Sequence, residues 1–156
     1  KEGGYPSLLK MFLGTTTGTI GETSTAALLL GAIYLLLRRV IDWKIPVIYI
    51  ATFAVFDILY MVIAGAAAYP LLYELCGGGL MLGAFFMATD YVTSPITSKG
   101  KVIYAILLGL LTGLFRFFGE SAEGVSFAII IGNLFVPLIE RYTVPKAFGK
   151  EGKANG

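Results

Sequence analysis

The chain has 156 residues, 56% of them hydrophobic and 14% charged, with a mean hydropathy of +0.79. Soluble domains carry roughly 45–50% apolar and about 25% charged residues, so the composition points to a bilayer protein and away from a soluble monomer. Histidine is absent and cysteine occurs once, at Cys76. That excludes a Ser-His-Asp triad, a Cys-His pair, histidine ligation of metal or haem, an intrachain disulfide and a cluster held by this chain alone. The net charge of +2 is too small for nucleic-acid binding.

A membrane-spanning helix needs about 20 apolar residues to cross roughly 30 Å of hydrocarbon. Residues 1–20 form a Gly- and Pro-containing lead-in whose short apolar stretch, Leu8 to Leu13, predicts an interfacial helix. Five segments then read as spans: residues 21–37, 45–64, 75–88, 102–118 and 124–139. The second is full length, and the others are short, tilted or extended by their flanks. The first is not a signal peptide, because no basic region precedes it and Glu22 sits at its mouth. The third follows Gly77-Gly78-Gly79 and also holds Gly83. It reads either as a helix that packs closely on its neighbours or as a broken helix beside a buried site. Residues 141–156 read as a polar tail.

The basic residues orient the chain. Arg38, Arg39 and Lys44 lie between spans one and two, Lys99 and Lys101 between three and four, and Arg141, Lys146, Lys150 and Lys153 after span five. The positive-inside rule puts these nine of twelve in the cytoplasm, with the N-terminus outside. Five spans with ends on opposite faces form the natural half of an inverted-repeat membrane protein.

Polar residues in or beside the spans are the candidate sites. From Thr15 to Thr25 hydroxyls crowd between Gly14, Gly18 and Gly21 and run into a helix. A Gly-rich turn at a helix start presents free N–H groups to a phosphate, an anion or a flavin edge. Equally, these hydroxyls can simply cap the helix. Asp57 lies inside span two, where an ionisable group is either functional or a protonated hydrogen-bonding partner. Asp90, Thr93 and Ser94 end span three and form either a small-cation site or an ordinary turn. Arg116 is expected to pair locally with Glu120 or Glu123, and Glu140 with Arg141. Asn133 is placed to bond across helices, and Pro137 to kink or end span five. No metal site is expected.

Three stretches carry a family resemblance: Gly21-Glu22-Thr23-Ser24, then the run Met81 to Asp90 with Val92-Thr93-Ser94, then Glu123-Gly124-Val125 with the run Asn133 to Glu140. The chain resembles, over nearly all its length, a family of membrane subunits. These are typified by the D-type subunit of the Rnf ferredoxin:NAD oxidoreductase and the B-type subunit of the sodium-pumping NADH:quinone oxidoreductase. The resemblance implies an all-α subunit of ten spans, built of two inverted five-span repeats similar to urea transporters, of which this chain is the second. It implies FMN linked through phosphate to a threonine of a [ST]GAT motif, expected upstream of Lys1, and a riboflavin in the membrane. It further implies electron flow coupled to Na⁺ or H⁺ movement, neighbouring subunits as partners, and a place in the bacterial or archaeal cytoplasmic (inner) membrane. Gly21, Glu22, Thr23, Ser24 and Thr25 would lie near flavin, and Asp57, Asp90, Thr93, Ser94 and Glu140 along an ion path. Tyr91 stands where many relatives carry Pro, and Glu140 where many carry Asp. The chain alone is not expected to be active. Half of a small-solute channel and a non-catalytic assembly subunit are the alternatives.

Overall fold

In the computed structural model, residues 8–14, 24–64, 71–77, 79–119 and 124–145 are described. All regular structure among them is helical. A short helix α1 (Leu8–Leu13) precedes α2 (Thr25–Leu37), α3 (Lys44–Ala64), α4 (Leu71–Cys76) and α5 (Leu80–Leu82), which passes into a π-helical turn at Gly83–Met87. Two long helices follow, α6 (Ser98–Phe118) and α7 (Gly124–Thr143).

Three helices are long and apolar enough to cross a membrane: Lys44–Ile63, Ser98–Phe118 and Gly124–Thr143. At 1.5 Å per residue such helices are about 30 Å long. The first predicted span is represented by the shorter α2. The third is not one helix, and the broken alternative holds. Gly79 takes a left-handed φ of 69°, which ends the run that α4 began. The chain restarts at Leu80, and the Ala88 N–H then reaches back five residues to the Gly83 carbonyl at 2.7 Å. Such π-turns are uncommon and concentrate at functional sites.

α3, α6 and α7 form the core. α3 presents Ile45, Tyr49, Phe53 and Asp57 at four-residue intervals, and all four are buried. α6 meets it through Gly109 and Gly113, a Gly-x-x-x-Gly pair that lets two helix backbones approach. A Cβ at Gly109 would stand 2.6 Å from Thr52, and one at Gly113 2.4 Å from Phe56. On the other side of α6, Gly132 of α7 receives Leu108, 2.5 Å from where its Cβ would be. α7 runs unbroken through Pro137. The outward faces carry exposed Val55, Val62, Ile63, Leu134 and Leu138, as expected of helices that meet lipid or other helices.

Lys44, Ser98 and Thr143 mark one end of this core. The Lys44 ammonium donates to the Ser98 hydroxyl, and the Thr97 hydroxyl meets that of Thr143 at 2.8 Å. Arg38, Arg39, Lys99, Lys101 and Arg141 flank the same helix ends, so the basic residues gather there as the loop pattern predicted. Arg116 lies toward the opposite end, beyond Asp57.

Candidate functional site

Polar side chains are threaded between the long helices. The Tyr49 and Thr112 hydroxyls lie 2.5 Å apart, joining α3 to α6. The Tyr104 hydroxyl donates to Asn133 Oδ1 at 2.5 Å, joining α6 to α7. Asn133 therefore bonds across helices, as its position in an apolar run suggested.

Asp57 differs from these. It is 0% exposed, and neither carboxylate oxygen has a hydrogen-bond partner among the described residues. It lies thirteen residues past Lys44, about 20 Å along α3. Arg116 and Glu74 are its charged neighbours within electrostatic reach. A lone carboxylate in so dry a place is costly. It is relieved by taking up a proton or a small cation.

The neighbouring arginine is held elsewhere. Arg116 donates to the Glu74 carbonyl at 2.6 Å, to the Glu74 carboxylate at 3.0 Å and to the Gly77 carbonyl at 2.9 Å. Its guanidinium also lies 5.1 Å from the Phe53 ring centre, within cation–π range. Among the described residues the partner of Arg116 is Glu74, forty-two positions back along the chain. Glu120 and Glu123 fall outside the described residues. Breaking the helix at Gly77 frees carbonyls that α4 cannot satisfy internally, and Arg116 takes them.

Of the segment read as flavin-proximal, Gly21, Glu22 and Thr23 lie outside the described residues. Ser24 is the N-cap of α2, accepting the Ala27 N–H at 3.3 Å. Thr25 is buried and donates to the Cys76 carbonyl at 3.2 Å. Both hydroxyls therefore serve the fold. They also bring the start of α2 against the same break in α4 that Arg116 holds.

At the basic end, Asp90, Thr93 and Ser94 form one turn. The Thr93 hydroxyl donates to Asp90 Oδ2 at 3.1 Å, and the Ser94 N–H to the Asp90 carbonyl at 3.1 Å. Glu140 accepts the Ile96 N–H at 3.0 Å and makes no ion pair with Arg141 among the described residues. Both acidic residues therefore serve one connection, residues 90–97, through opposite sides. Asp42 sits nearby and pairs with Lys101 at 2.9 Å. No group of three or more His, Cys, Asp or Glu side chains able to hold a metal occurs among the described residues.

Sequence reasoning did not single out Glu74, Tyr49 or Thr112. Glu74 gives no signal of its own, lying in a six-residue helix. The Gly109-x-x-x-Gly113 spacing in an apolar helix is the signal that could have found the face on which Tyr49 and Thr112 meet.

Comparison with known proteins gives one answer throughout. The sequence profile of the NQR2, RnfD, RnfE family matches residues 1–149. The chain is 45% identical to the D-type subunit of the Na(+)-translocating ferredoxin:NAD(+) oxidoreductase complex of Acetobacterium woodii, over 97% of this chain and 48% of that protein. It is 45% identical to the D-type subunit of the proton-translocating ferredoxin:NAD(+) oxidoreductase complex of Clostridium ljungdahlii, over 94% of this chain and 45% of that one. The D-type subunit of the ion-translocating oxidoreductase complex of Stutzerimonas stutzeri is 41% identical over 96% of this chain and 42% of its own length. The chain spans about half the length of the curated relatives it matches.

Proposed function

The chain belongs to the NQR2, RnfD, RnfE family, and from that premise we propose that it is the second, five-pass half of the D-type subunit of an ion-translocating ferredoxin:NAD oxidoreductase complex. Its path supports the count. α2 leads toward the basic end, α3 away from it, the broken stretch from Leu71 to Thr89 back again, α6 away and α7 back. The Arg116 contacts fix one limit of the broken stretch. The Tyr91 hydroxyl, which donates to the Val40 carbonyl, fixes the other. With the basic end cytoplasmic, the start of the chain faces outward, and an inverted, urea-transporter-like partner half would precede it.

In this reading the subunit lets ions cross as electrons pass between flavins. The observation that carries it is Asp57, a buried carboxylate on a spanning helix with no hydrogen-bond partner among the described residues. Intramembrane carboxylates of this kind are the stations of ion and proton paths. A carboxylate can bind a proton or Na⁺ alike, and the two 45%-identical relatives are named for one ion each. Asp90, Thr93, Ser94 and Glu140 would form the mouth of the path at the basic end.

FMN and riboflavin would supply the one-electron chemistry when bound. Among the described residues, the fit to a flavin is confined to Ser24, whose hydroxyl keeps its own hydrogen at the start of α2. Thr25 is turned to Cys76. The FMN threonine would lie upstream of Lys1, and the other residues near flavin would be Gly21, Glu22 and Thr23.

Two measurements test the proposal. The full-length subunit, purified, should absorb near about 450 nm as flavoproteins do, and a colourless preparation would refute it. In the intact complex in liposomes, Asp57→Asn should leave electron transfer running while ion uptake into the lumen is lost. Unchanged uptake removes Asp57 from the path.

A further inference from the structure

The end of α2 carries a backbone feature that the proposed function does not use. α2 closes in a Schellman motif: the Arg39 N–H bonds the Leu36 carbonyl at 3.0 Å and the Val40 N–H bonds the Leu35 carbonyl at 2.9 Å. The residue at the turn of this motif adopts a left-handed conformation and is usually glycine. Here it is Arg39, at φ 54°, the one non-glycine residue with positive φ among those described. Strain of this sort is retained where the side chain has a use.

Arg39 lines a cavity of about 640 Å³ between the end of α2 and the starts of α3 and α6. Leu36, Val40 and Ile45 give the cavity an apolar wall, and Trp43 stands at its rim. Lys101 and Asp42 also line it. These two neutralise one another through their 2.9 Å ion pair. Arg39 makes no ion pair among the described residues, so the cavity carries an unbalanced positive charge. A hydrogen bond from Tyr91 to the Val40 carbonyl holds the far wall in place.

The cavity thus joins an apolar wall to an unpaired guanidinium at the level where spanning helices end and Trp and Tyr gather. That is the chemistry of an anionic lipid: a phosphate for the guanidinium, a glycerol and upper acyl chain for the wall, and an interfacial depth for both. Soluble phosphate would satisfy the arginine but leave the apolar wall wet. We propose that this cavity binds the headgroup of an anionic phospholipid, with Arg39 holding the phosphate. Such binding requires only that the chain lies in a bilayer and is independent of the flavin reading.

Trp43 is the chain's one tryptophan and so reports on the cavity directly. The test is quenching of its fluorescence in bilayers by brominated phosphatidylglycerol against brominated phosphatidylcholine, in the full chain, with Trp43→Phe defining the background. Phosphatidylglycerol should quench more at equal mole fraction, by an effective affinity ratio of about fivefold, the scale for one basic group at a membrane surface. Arg39→Lys should keep most of this preference. Arg39→Gly should abolish it, although glycine suits the left-handed turn and relieves its strain, so misfolding cannot account for the loss. Equal quenching by the two lipids overturns the proposal. So does a preference that survives Arg39→Gly. Erasure of the preference by millimolar inorganic phosphate overturns it as well, by assigning the cavity to a soluble anion.

Discussion

One guanidinium, that of Arg116 on α6, holds Glu74 of α4 twice, by its carboxylate at 3.0 Å and by its own carbonyl at 2.6 Å. This residue ties the short helix to the core alongside Leu75, which is half-buried against it, and no residue of α4 is fully buried. The Arg116 and Glu74 side chains are 16% and 21% exposed. Breaking a fully buried pair costs about 3–5 kcal/mol, so Arg116→Gln should cost about 2–3 kcal/mol here. Glu74→Gln should cost about 1 kcal/mol, since Arg116 keeps two carbonyl acceptors. Thermal unfolding in detergent checks the order, and equal losses would show that the carbonyl bonds do not matter.

The Gly109–Gly113 face gives a second expectation. Cβ atoms at these positions would fall 2.6 Å from Thr52 and 2.4 Å from Phe56. Gly109 also faces the Tyr49 carbonyl at 3.0 Å, and a backbone atom cannot swing aside as a ring can. Gly109→Ala should therefore cost about 1–3 kcal/mol and disturb the Tyr49–Thr112 bond. Gly31→Ala meets only the tip of Phe86, at 3.2 Å, and should be tolerated. Paired melting curves of the two variants make the comparison, and equal losses would contradict the packing argument.

Much of this fold could be read in the sequence because bilayer crossing imposes a length and a polarity on each helix. Spans two, four and five appear where the apolar runs stand, and the basic residues converge on one end. The third span was harder. Its apolar run was continuous from Leu80 onward, but Gly77 to Gly79 removed the side chains that would have kept α4 and α5 in one helix. The Arg116 contacts to Glu74 and Gly77 were not legible for a related reason: they depend on carbonyls that the broken helix frees about forty positions away in sequence. Pro137 also misled. A proline inside a helix removes one N–H bond, here to the carbonyl of Asn133, yet packing on α6 carries α7 through. The lone state of Asp57 could not be read at all, since it depends on what α6 and α4 place around it.

Asp42 predicts a pH effect. Burial alone would raise its pKa, but the hydrogen bond from the Lys101 side chain, the Lys44 N–H and the charges of both lysines outweigh it and hold the carboxyl below the ordinary aspartate value. A depressed folded pKa means that the stabilisation is present above the unfolded value of about 3.9. It is lost as pH falls through the folded value. The affected window therefore lies below about pH 4. Both partners touch solvent, so the pair contributes about 0–1 kcal/mol. Asp42→Asn should lower stability at pH 7 by no more than this and remove the pair's share of acid sensitivity. Melting points at pH 7 and pH 3, with and without high salt, check the effect, and an acid loss undiminished in the variant would place its origin elsewhere.

Asp57 predicts a conflict between stability and use. Both its oxygens are buried without hydrogen-bond partners among the described residues, and an unsatisfied buried polar group costs about 1–3 kcal/mol. Asp57→Val removes the unpaired group at similar volume and should raise stability by about 1 kcal/mol or more, less any misfit of the branched side chain. It should also abolish ion movement in the intact complex, because the one carboxylate on that face of α3 is gone. A carboxylate kept only as a packing element would give the reverse: a less stable variant whose transport is unchanged. Measuring thermal stability and ion uptake on the same preparation therefore separates a residue retained for function from one retained for structure.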